Sequence, residues 1–255
     1  MECAMYETLS ADYDRFVNWQ NRLAVELPFL IEKLKESNAR QILDVATGTG
    51  MHAIALAQQG YSTAGSDISQ GMIEHARRNA QVAGVPVRFE LAGFGNLAGT
   101  FGRGSFDGLL CLGNSLPHLL SRKDLDKTLV DFANCLTPGG ILLIQNRNFD
   151  AVIANHQRWM EPQSNSKEGE EWIFQRFYDF DSDGLLTFNM VILNRQPEGT
   201  WTQKIVSSRM RPMLKFELLL SLTEAGFNRL SAFGDMSGSK YDHDRSPNLV
   251  VVARK

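Results

Sequence analysis

The segment Ile42–Gly50, ILDVATGTG, decides the fold of this chain. An apolar strand, Gln41–Ala46, runs directly into a turn of small residues, and a helix is predicted from Met51. Glycine is needed where a backbone turns tightly or lets a ligand approach, and a helix that begins there directs free N–H groups at the ligand. The second predicted strand ends at Asp67, where a carboxylate is placed to accept hydrogen bonds from ribose hydroxyls. The segment therefore predicts a crevice that binds a nucleoside.

The composition of the 255 residues is that of an ordinary globular chain, with 43% hydrophobic and 22% charged residues. This length fits one α/β domain. The net charge of −3 gives no general attraction to nucleic acid or to an anionic membrane, so neither is expected as a partner. Cys3, Cys111 and Cys135 lie far apart without metal-ligand spacing, which favours reduced thiols and a cytoplasmic location. Neither a signal peptide nor a membrane-spanning run is predicted.

Strands and helices alternate between residues 41 and 145 in the order strand, helix, strand, helix, strand, strand, helix, strand. This order predicts an α/β fold with a doubly wound, mostly parallel sheet, and with ligands beyond the carboxyl ends of the strands. Residues 5–35 read as helical, and Pro28 within them predicts a kink or a break. The TPGG sequence at 137–140 predicts a turn before the strand Ile141–Gln145.

After Asn148 the pattern changes to three predicted strands, Trp172–Phe180, Leu185–Asn194 and Trp201–Arg211, which are separated by turn sequences. These strands predict an inserted antiparallel meander that serves as a lid. A helix from about Met213 and two final strands are expected to complete the main sheet. The predicted division is N-terminal helices with a cofactor-binding core (1–147), an inserted substrate lid (148–212), and a C-terminal helix with the last two core strands (213–255).

The turn Asp44–Gly50 resembles motif I of the class I S-adenosylmethionine-dependent methyltransferases. Within that class, Cys111–Leu119 and Arg147–Asp150 resemble segments of the glycine and sarcosine N-methyltransferases, which also carry an arginine at the spacing of Arg22. The resemblance covers nearly the whole chain and implies a seven-stranded Rossmann-like sheet whose last strand is antiparallel. It also implies an enzyme that uses S-adenosylmethionine, without a metal, to methylate a small molecule. The substrate implied most simply is an amine that bears an anionic group.

Three departures from the family pattern concern the substrate more than the cofactor. Ala46 replaces the first glycine of the commonest motif, a change that the class tolerates. Asn146 stands where the glycine enzymes usually carry a histidine. The segment Ser207–Met213 has arginines and methionines where those enzymes place tyrosines near the substrate, so glycine itself is in question as the acceptor.

In the predicted crevice, different residues bind different parts of the cofactor. Gly48 and Gly50 would admit its methionine part, and Asp67 would take its ribose hydroxyls. A plain strand–helix turn and a nicotinamide site remain alternatives, because Ala53 occupies the third position of Gly-x-Gly-x-x-Gly, where alanine is allowed. The predicted cofactor-binding set is Arg22, Asp44, Ala46, Gly48, Gly50, Asp67, Ile68, Gly93, Phe94 and Leu112.

The residues that bind the methyl acceptor are predicted to lie at the ends of two strands. Asn114 follows the fourth strand, where the methyl group is expected, and both Asn114 and His118 are candidate catalytic residues. Arg147 would hold an anionic group through a bidentate guanidinium, and an ion pair with Asp150 is the alternative. The remaining structural alternatives are an Asx turn for Asn114 and packing roles for the histidine and the tyrosines. The predicted substrate-binding set is Tyr13, Asn114, Arg147, Tyr178 and Arg209.

Methyl transfer from a sulfonium needs no nucleophilic side chain, and it needs no base if the amine binds unprotonated. The predicted role of the protein is therefore in-line positioning in a site that excludes water. Two alternatives stay open, a C- or O-methyltransferase of a larger metabolite such as a quinone precursor, and a cofactor-binding protein without turnover. An RNA methyltransferase is disfavoured by the slightly acidic charge balance.

Overall fold

Two sheets organise residues 4–9 and 13–255, which are the residues that the computed structural model of this chain describes. Cys3 lies outside these ranges. The strands are β1 (Gln41–Val45), β2 (Ser62–Asp67), β3 (Val87–Leu91), β4 (Phe106–Cys111), β5 (Leu136–Arg147), β6 (Gln163–Lys167), β7 (Glu170–Phe180), β8 (Leu186–Arg195), β9 (Trp201–Met210), β10 (Asn228–Phe233) and β11 (Asn248–Arg254). The helices are α1 (Ala4–Leu9), α2 (Tyr13–Phe16), α3 (Trp19–Glu36), α4 (Met51–Gln58), α5 (Gln70–Ala83), α6 (Leu97–Phe101), α7 (Arg122–Cys135), α8 (Phe149–Ala154) and α9 (Lys215–Glu224), with a single 3₁₀ turn at Leu116–His118.

The main sheet has seven strands in the order β3-β2-β1-β4-β5-β11-β10. Strands β1 to β5 pair in parallel, whereas β11 is antiparallel to both of its neighbours. The end of β1, Val45, pairs with Ser66 on one side and with Cys111 on the other, so the turns after β1, β2 and β4 open at one edge. The predicted doubly wound sheet with an antiparallel last strand is confirmed.

The core is divided by the main sheet into two apolar layers. Along β5, Leu142 and Ile144 belong to the layer that includes Phe132 of α7, whereas Leu143 belongs to the layer that includes Leu30 of α3. Because successive side chains of a strand point to opposite faces, a run buried on both faces needs apolar residues at every position. This is why the central strands show no alternation of polar and apolar residues.

The second sheet is antiparallel, in the order β6-β7-β8-β9, and it follows β5 and α8 in the chain. Its strands pair in register, with Tyr178 opposite Phe188 and Phe188 opposite Ser208. Helix α1 contacts both α5 of the core and β9, so it bridges the two sheets. The predicted antiparallel insertion is confirmed, but it has four strands rather than three, because Gln163–Lys167 pairs with the start of β7.

Several local predictions differ from the structure for identifiable reasons. Helix α3 does not break at Pro28, one of the two predicted outcomes, since its buried residues Phe29, Leu30 and Leu34 are held by core packing. The sequence at 137–140 lies inside β5, where the amide of Gly139 donates to Lys255 beyond the end of β11. The short helices α6 and α8 were missed. Among the described residues, no helix is both long and apolar enough to cross a membrane.

Candidate active site

The turn between β1 and α4 is built from residues in the left-handed region of backbone space. Ala46 has φ 52° and Gly48 has φ 57°, and Gly50 caps α4 with φ 82°. The amide of Gly48 donates to Oδ2 of Asp67 at 2.9 Å, which ties this turn to the end of β2. A non-glycine residue in this conformation is strained, and such strain collects at functional sites.

Asp67 is held with both carboxylate oxygens facing backbone amides. Oδ1 accepts from the amide of Ser69 at 3.0 Å, and Oδ2 accepts from Gly48. Burial raises the pKa of Asp67, and these hydrogen bonds oppose that rise. The amide of Ile68 also contributes to this carboxylate. A carboxylate offers about four lone-pair sites, so Asp67 retains capacity to accept from a ligand.

A crevice opens above this turn at the carboxyl edge of the main sheet. Ile68 and Phe94 form an apolar slot, and Phe94 is fixed by an edge-on contact with Phe132 at 5.7 Å between ring centroids. Gly93 completes the slot, where an added Cβ would lie 3.2 Å from Ile68. The residues that line the crevice are Tyr13, Ala46, Gly48, Asp67, Ile68, Met72, Ala92, Gly93, Phe94, Leu112, Gly113, Ser115 and His118.

Asp44 and Gly50 support the turn but do not line the crevice. The hydroxyl of Thr47 donates to Asp44 at 2.5 Å, and burial raises the pKa of that carboxyl. An added Cβ on Gly50 would lie 2.6 Å from the Phe89 ring and 2.9 Å from Ala76. Glycine is therefore required at position 50 by core packing as well as by its backbone conformation.

A larger chamber adjoins the crevice and lies between the main sheet and the second sheet. Tyr13 and Gly113 line both cavities and mark their boundary. Burial raises the pKa of the Tyr13 hydroxyl, and the charge of Arg22 opposes that rise. The residues that line the chamber include Phe16, Arg22, Glu26, Asn114, Arg147, Met160, Arg176, Tyr178, Phe188, Met190 and Met210.

Arg22 is positioned by a buried network that sequence reasoning missed. Its Nε donates to both carboxylate oxygens of Glu26, at 3.0 and 3.1 Å, and Nε2 of His52 lies 2.6 Å from Glu26. Burial alone would raise the pKa of Glu26, but His52 and Arg22 hold it below its usual value. The guanidinium ends beside Gly113, where an added Cβ would lie 3.7 Å from Nη2. A buried Glu26 four residues after Arg22 was the available signal.

Asn114 links the ends of β4 and β5. It has φ 69°, and its Oδ1 accepts from the backbone amide of Arg147 at 2.9 Å. Its Nδ2 lies 3.9 Å from the sulfur of Met210 on the second sheet. The carboxamide oxygen retains one lone pair, so Asn114 presents a neutral acceptor where crevice and chamber meet.

His118 lies in the crevice wall and reaches the second sheet. Its Nδ1 is 3.2 Å from the hydroxyl of Ser208 on β9. Burial lowers the pKa of His118 to about 4, so the imidazole is neutral at neutral pH. A cationic ligand in the crevice therefore meets no second positive charge from this residue.

Arg147 lies in the chamber wall, and its buried Nε has no hydrogen-bond partner within residues 4–9 and 13–255. The predicted alternative, an ion pair with Asp150, is not formed. That carboxylate instead accepts from the amide of Lys215 at 3.0 Å and from the hydroxyl of Tyr241 at 3.0 Å. Tyr178 is fully buried in the same wall, and burial raises its pKa to about 12.

Arg176 joins Arg147 in the chamber, and Arg209 does not. Arg209 points away and pairs with Asp181 at 3.3 Å and with Asp183 at 2.6 Å, so its placement gives no support to the predicted substrate role. The alternation along β7 and β9 was the available signal, because it puts Arg176 on the apolar face of its strand and Arg209 on the polar face.

These features fit S-adenosylmethionine. The crevice offers a carboxylate for hydroxyl groups and an apolar slot for a flat base. The neighbouring guanidinium of Arg22 is suited to a carboxylate. Within the described residues, no group of three or more histidines, cysteines or acids is arranged to hold a metal ion.

Comparison with known proteins agrees with this geometry. Residues 42–140 match a family model described as a methyltransferase domain. The chain is 30% identical to a glycine/sarcosine N-methyltransferase of Parasynechococcus marenigrum, over 98% of this chain and 83% of that protein. It is also 30% identical to the enzyme of the same name from Aphanothece halophytica, over 95% and 86%. A crystal structure of an S-adenosylmethionine-dependent methyltransferase from Clostridium acetobutylicum superposes with a TM-score of 0.78, at 19% identity and 98% coverage of both chains.

Proposed function

We propose, from the premise that this chain belongs to the class I S-adenosylmethionine-dependent methyltransferases, that it methylates the nitrogen of a small amine that bears an anionic group. Enzymes with this activity are named among its relatives, as glycine/sarcosine N-methyltransferases. The acceptor group is the part of the proposal that the structure supports through particular residues.

The observation that carries the proposal is the buried Nε of Arg147, which has no hydrogen-bond partner among the described residues. Arg147 lines the chamber beside Asn114. A buried cation without an anion is costly, and its cost falls when a ligand supplies the anion. A carboxylate matches the fork of an arginine in bidentate fashion. An acceptor anchored in this way would present its nitrogen to Asn114.

The cofactor side of the proposal assigns one function to each part of the crevice. Asp67 accepts hydrogen bonds from the ribose hydroxyls, and the adenine lies in the slot of Ile68, Gly93 and Phe94. Arg22 takes the methionine carboxylate at the boundary with the chamber. Asp44 and Gly50 fix the turn without contacting the ligand.

When bound, S-adenosylmethionine supplies a methyl group on a sulfonium, which is an electrophile with a neutral leaving group. The chain then has to orient the amine in line with the methyl group, and this positioning can lower the barrier by several kcal/mol. The oxygen of Asn114 accepts from the amine N–H and places a partial negative charge beside the positive centre. His118 stays neutral there. Residues 148–212 cover the acceptor and exclude water.

The test is an acceptor screen that measures S-adenosylhomocysteine, run on the wild type and on Arg147→Met. The panel includes glycine, sarcosine, larger amino acids, amines without a carboxylate, and phenols. We expect turnover of carboxylate-bearing amines, with a KM about 30 to 100 times higher in Arg147→Met, because a bidentate, charge-assisted contact is lost. The affinity for S-adenosylmethionine, measured by calorimetry, should not change.

Arg195→Met is the matched control, because Arg195 is exposed at the end of β8 and does not line the chamber. Equal kinetic constants for the wild type and Arg147→Met would make Arg147 a structural residue. Turnover of phenols alone would favour the O-methyltransferase alternative. Binding of S-adenosylmethionine without turnover of any acceptor would support a binding protein.

A further inference from the structure

The guanidinium of Arg176 lies on a largely apolar face of the second sheet. On the same face of β7 its neighbours are Phe174 and Tyr178, and Met190 lies opposite it on β8. Its guanidinium stacks over the Phe16 ring at 4.8 Å, and its Nε is buried without a hydrogen-bond partner. Packing alone does not explain an arginine here, because an apolar side chain would fill the space without the cost of burying a charge.

The charge balance of the chamber strengthens this argument. Among the lining residues that the structure describes, Glu26 is the one acid, and it is bound to Arg22 and His52. Arg147 and Arg176 thus have no acidic partner in the described part of the chain. Burial lowers the pKa of Arg176, and the charge of Arg147 lowers it further, so the two cations repel each other. An anion placed between them would remove both penalties.

One part of the chamber wall is apolar and suits an acceptor larger than glycine, although the polar residues Asn18, Asn21, Gln145, Gln163 and Asn248 also line the chamber. Met160, Met190, Met210 and Phe188 form the apolar part, and the whole cavity, which includes the space beside Arg22 and Glu26, holds about 600 Å³. Pockets for drug-sized ligands span about 300 to 1,000 Å³. Glycine has no side chain to bury against these four residues, whereas methionine side chains adapt readily to an irregular apolar ligand.

We propose that the acceptor is an amine whose carboxylate is held jointly by Arg147 and Arg176 and whose apolar body, larger than glycine, packs against Met190 and Phe188. Arg176 is then a residue that determines specificity. This inference rests on the proposed function, since it takes for granted that the chamber holds a carboxylate-bearing amine. It adds the second guanidinium and the size and polarity of the acceptor.

The first experiment compares kcat/KM for glycine, L-leucine, L-phenylalanine and L-aspartate, together with isopentylamine and phenethylamine, which lack the carboxylate. We expect leucine or phenylalanine to exceed glycine by about 10- to 100-fold, the gain from burying one large apolar side chain. Each should also exceed the matching amine without a carboxylate. Aspartate should be a poor acceptor, because its second carboxylate would lie against the methionines.

The second experiment replaces Arg176. We expect Arg176→Met to lower the ratio of kcat/KM for the best amino acid to kcat/KM for phenethylamine by about 10- to 100-fold, while Arg176→Lys restores part of the loss. Arg195→Met should match the wild type, since that residue is exposed on the same sheet. Affinity for S-adenosylmethionine reports whether each variant is folded.

The outcomes separate this inference from the proposed function. Glycine as the best acceptor would overturn the apolar body while leaving amine methylation intact. Aspartate as the best acceptor would mean that the two guanidiniums hold two carboxylates, which also overturns it. Equal kinetics in Arg176→Met and Arg195→Met would remove Arg176 from the site. Turnover confined to acceptors without an amine, or no turnover of any acceptor, would refute the proposed function itself.

Discussion

The crevice and the chamber share Tyr13 and Gly113, yet they are built in different ways. The crevice is lined mostly by residues of the turns that follow β1, β2, β3 and β4 at one edge of the sheet. The chamber is formed by side chains that come from α1 to α3, from the end of β5 and from the second sheet. One site is thus a property of the fold, and the other is a property of particular residues.

This difference explains how one fold can serve many acceptors. Main-chain turns in the left-handed region, such as those at Gly48 and Asn114, are fixed by the strands on which they sit. A side chain such as Arg176 can change without any change in those strands. Function resides in sites placed on a fold, so the cofactor is expected to be common to the family and the acceptor is expected to vary.

The largest effect is expected from a substitution of Asp67, which should weaken cofactor binding in the crevice and leave acceptor binding in the chamber unchanged. Asp67→Ala should raise the Kd for S-adenosylmethionine about 1,000-fold, because two charge-assisted hydrogen bonds to the ribose are lost, each worth about 1.5 to 3 kcal/mol. At saturating cofactor, the KM for the acceptor should be unchanged, since Asp67 does not line the chamber. Calorimetry and steady-state kinetics measure the two quantities.

The control for this prediction is Glu74→Ala, which removes an acid whose carboxylate is exposed and accepts only from Gln70 on the same helix. Its affinity for S-adenosylmethionine should match that of the wild type. If Asp67→Ala bound the cofactor equally well, the assignment of Asp67 to the ribose would be lost. Asp67→Asn checks for indirect effects, because it keeps an acceptor for the Gly48 amide.

The second prediction concerns how the crevice is anchored in the core. Gly50→Ala should destabilise the protein by about 3 kcal/mol, because a left-handed conformation and an overpacked contact with Phe89 and Ala76 add together. Gly48→Ala should cost only about 1 kcal/mol, since its nearest neighbour, the Tyr13 ring, would be 3.7 Å from the new Cβ. Urea unfolding measures both.

The two glycines would then have different roles, since Gly50 packs in the core and Gly48 faces the ligand. Phe89→Leu added to Gly50→Ala should recover part of the lost stability, because the space that the new methyl group enters is enlarged. Equal losses of stability in Gly48→Ala and Gly50→Ala would contradict the packing explanation.

The contrast between the two regions also explains what could be predicted from the sequence. Gly48 and Asp67 were identified because turn chemistry and strand ends are local features of a chain. They are brought together by the amide of Gly48, which donates to Asp67 at 2.9 Å. The roles of both residues in cofactor binding stay predictions until binding is measured.

The chamber could not be predicted in the same way, because its walls come from segments far apart in the chain. The predicted substrate-binding set includes Arg209 and leaves out Arg176, because it does not consider which face of each strand points inward. Along β7, every second residue (Trp172, Phe174, Arg176, Tyr178) lies on the same face, and this period of two places Arg176 inward. Pro28 shows the limit of local rules, because tertiary packing holds α3 continuous through it.

The last prediction tests the wall of the crevice that His118 forms against β9. Burial lowers the pKa of this residue from 6.5 to about 4, so the unfolded chain takes up a proton below pH 6.5 that the native chain refuses until about pH 4. Stability contributed by neutral His118 is therefore present above pH 6.5 and falls as the pH drops towards 4. Over the whole interval the loss amounts to about 3 kcal/mol.

His118→Gln removes this titration while keeping a polar side chain opposite Ser208. The difference in unfolding free energy between the wild type and His118→Gln should therefore shift by about 2 to 3 kcal/mol, against the wild type, between pH 7 and pH 4.5. Urea unfolding at both pH values measures this difference, and other titrating groups cancel in it. A difference that does not depend on pH would mean that His118 is solvated in the native state. In that case the crevice would be open towards β9, and the contact between His118 and Ser208 would not close its wall.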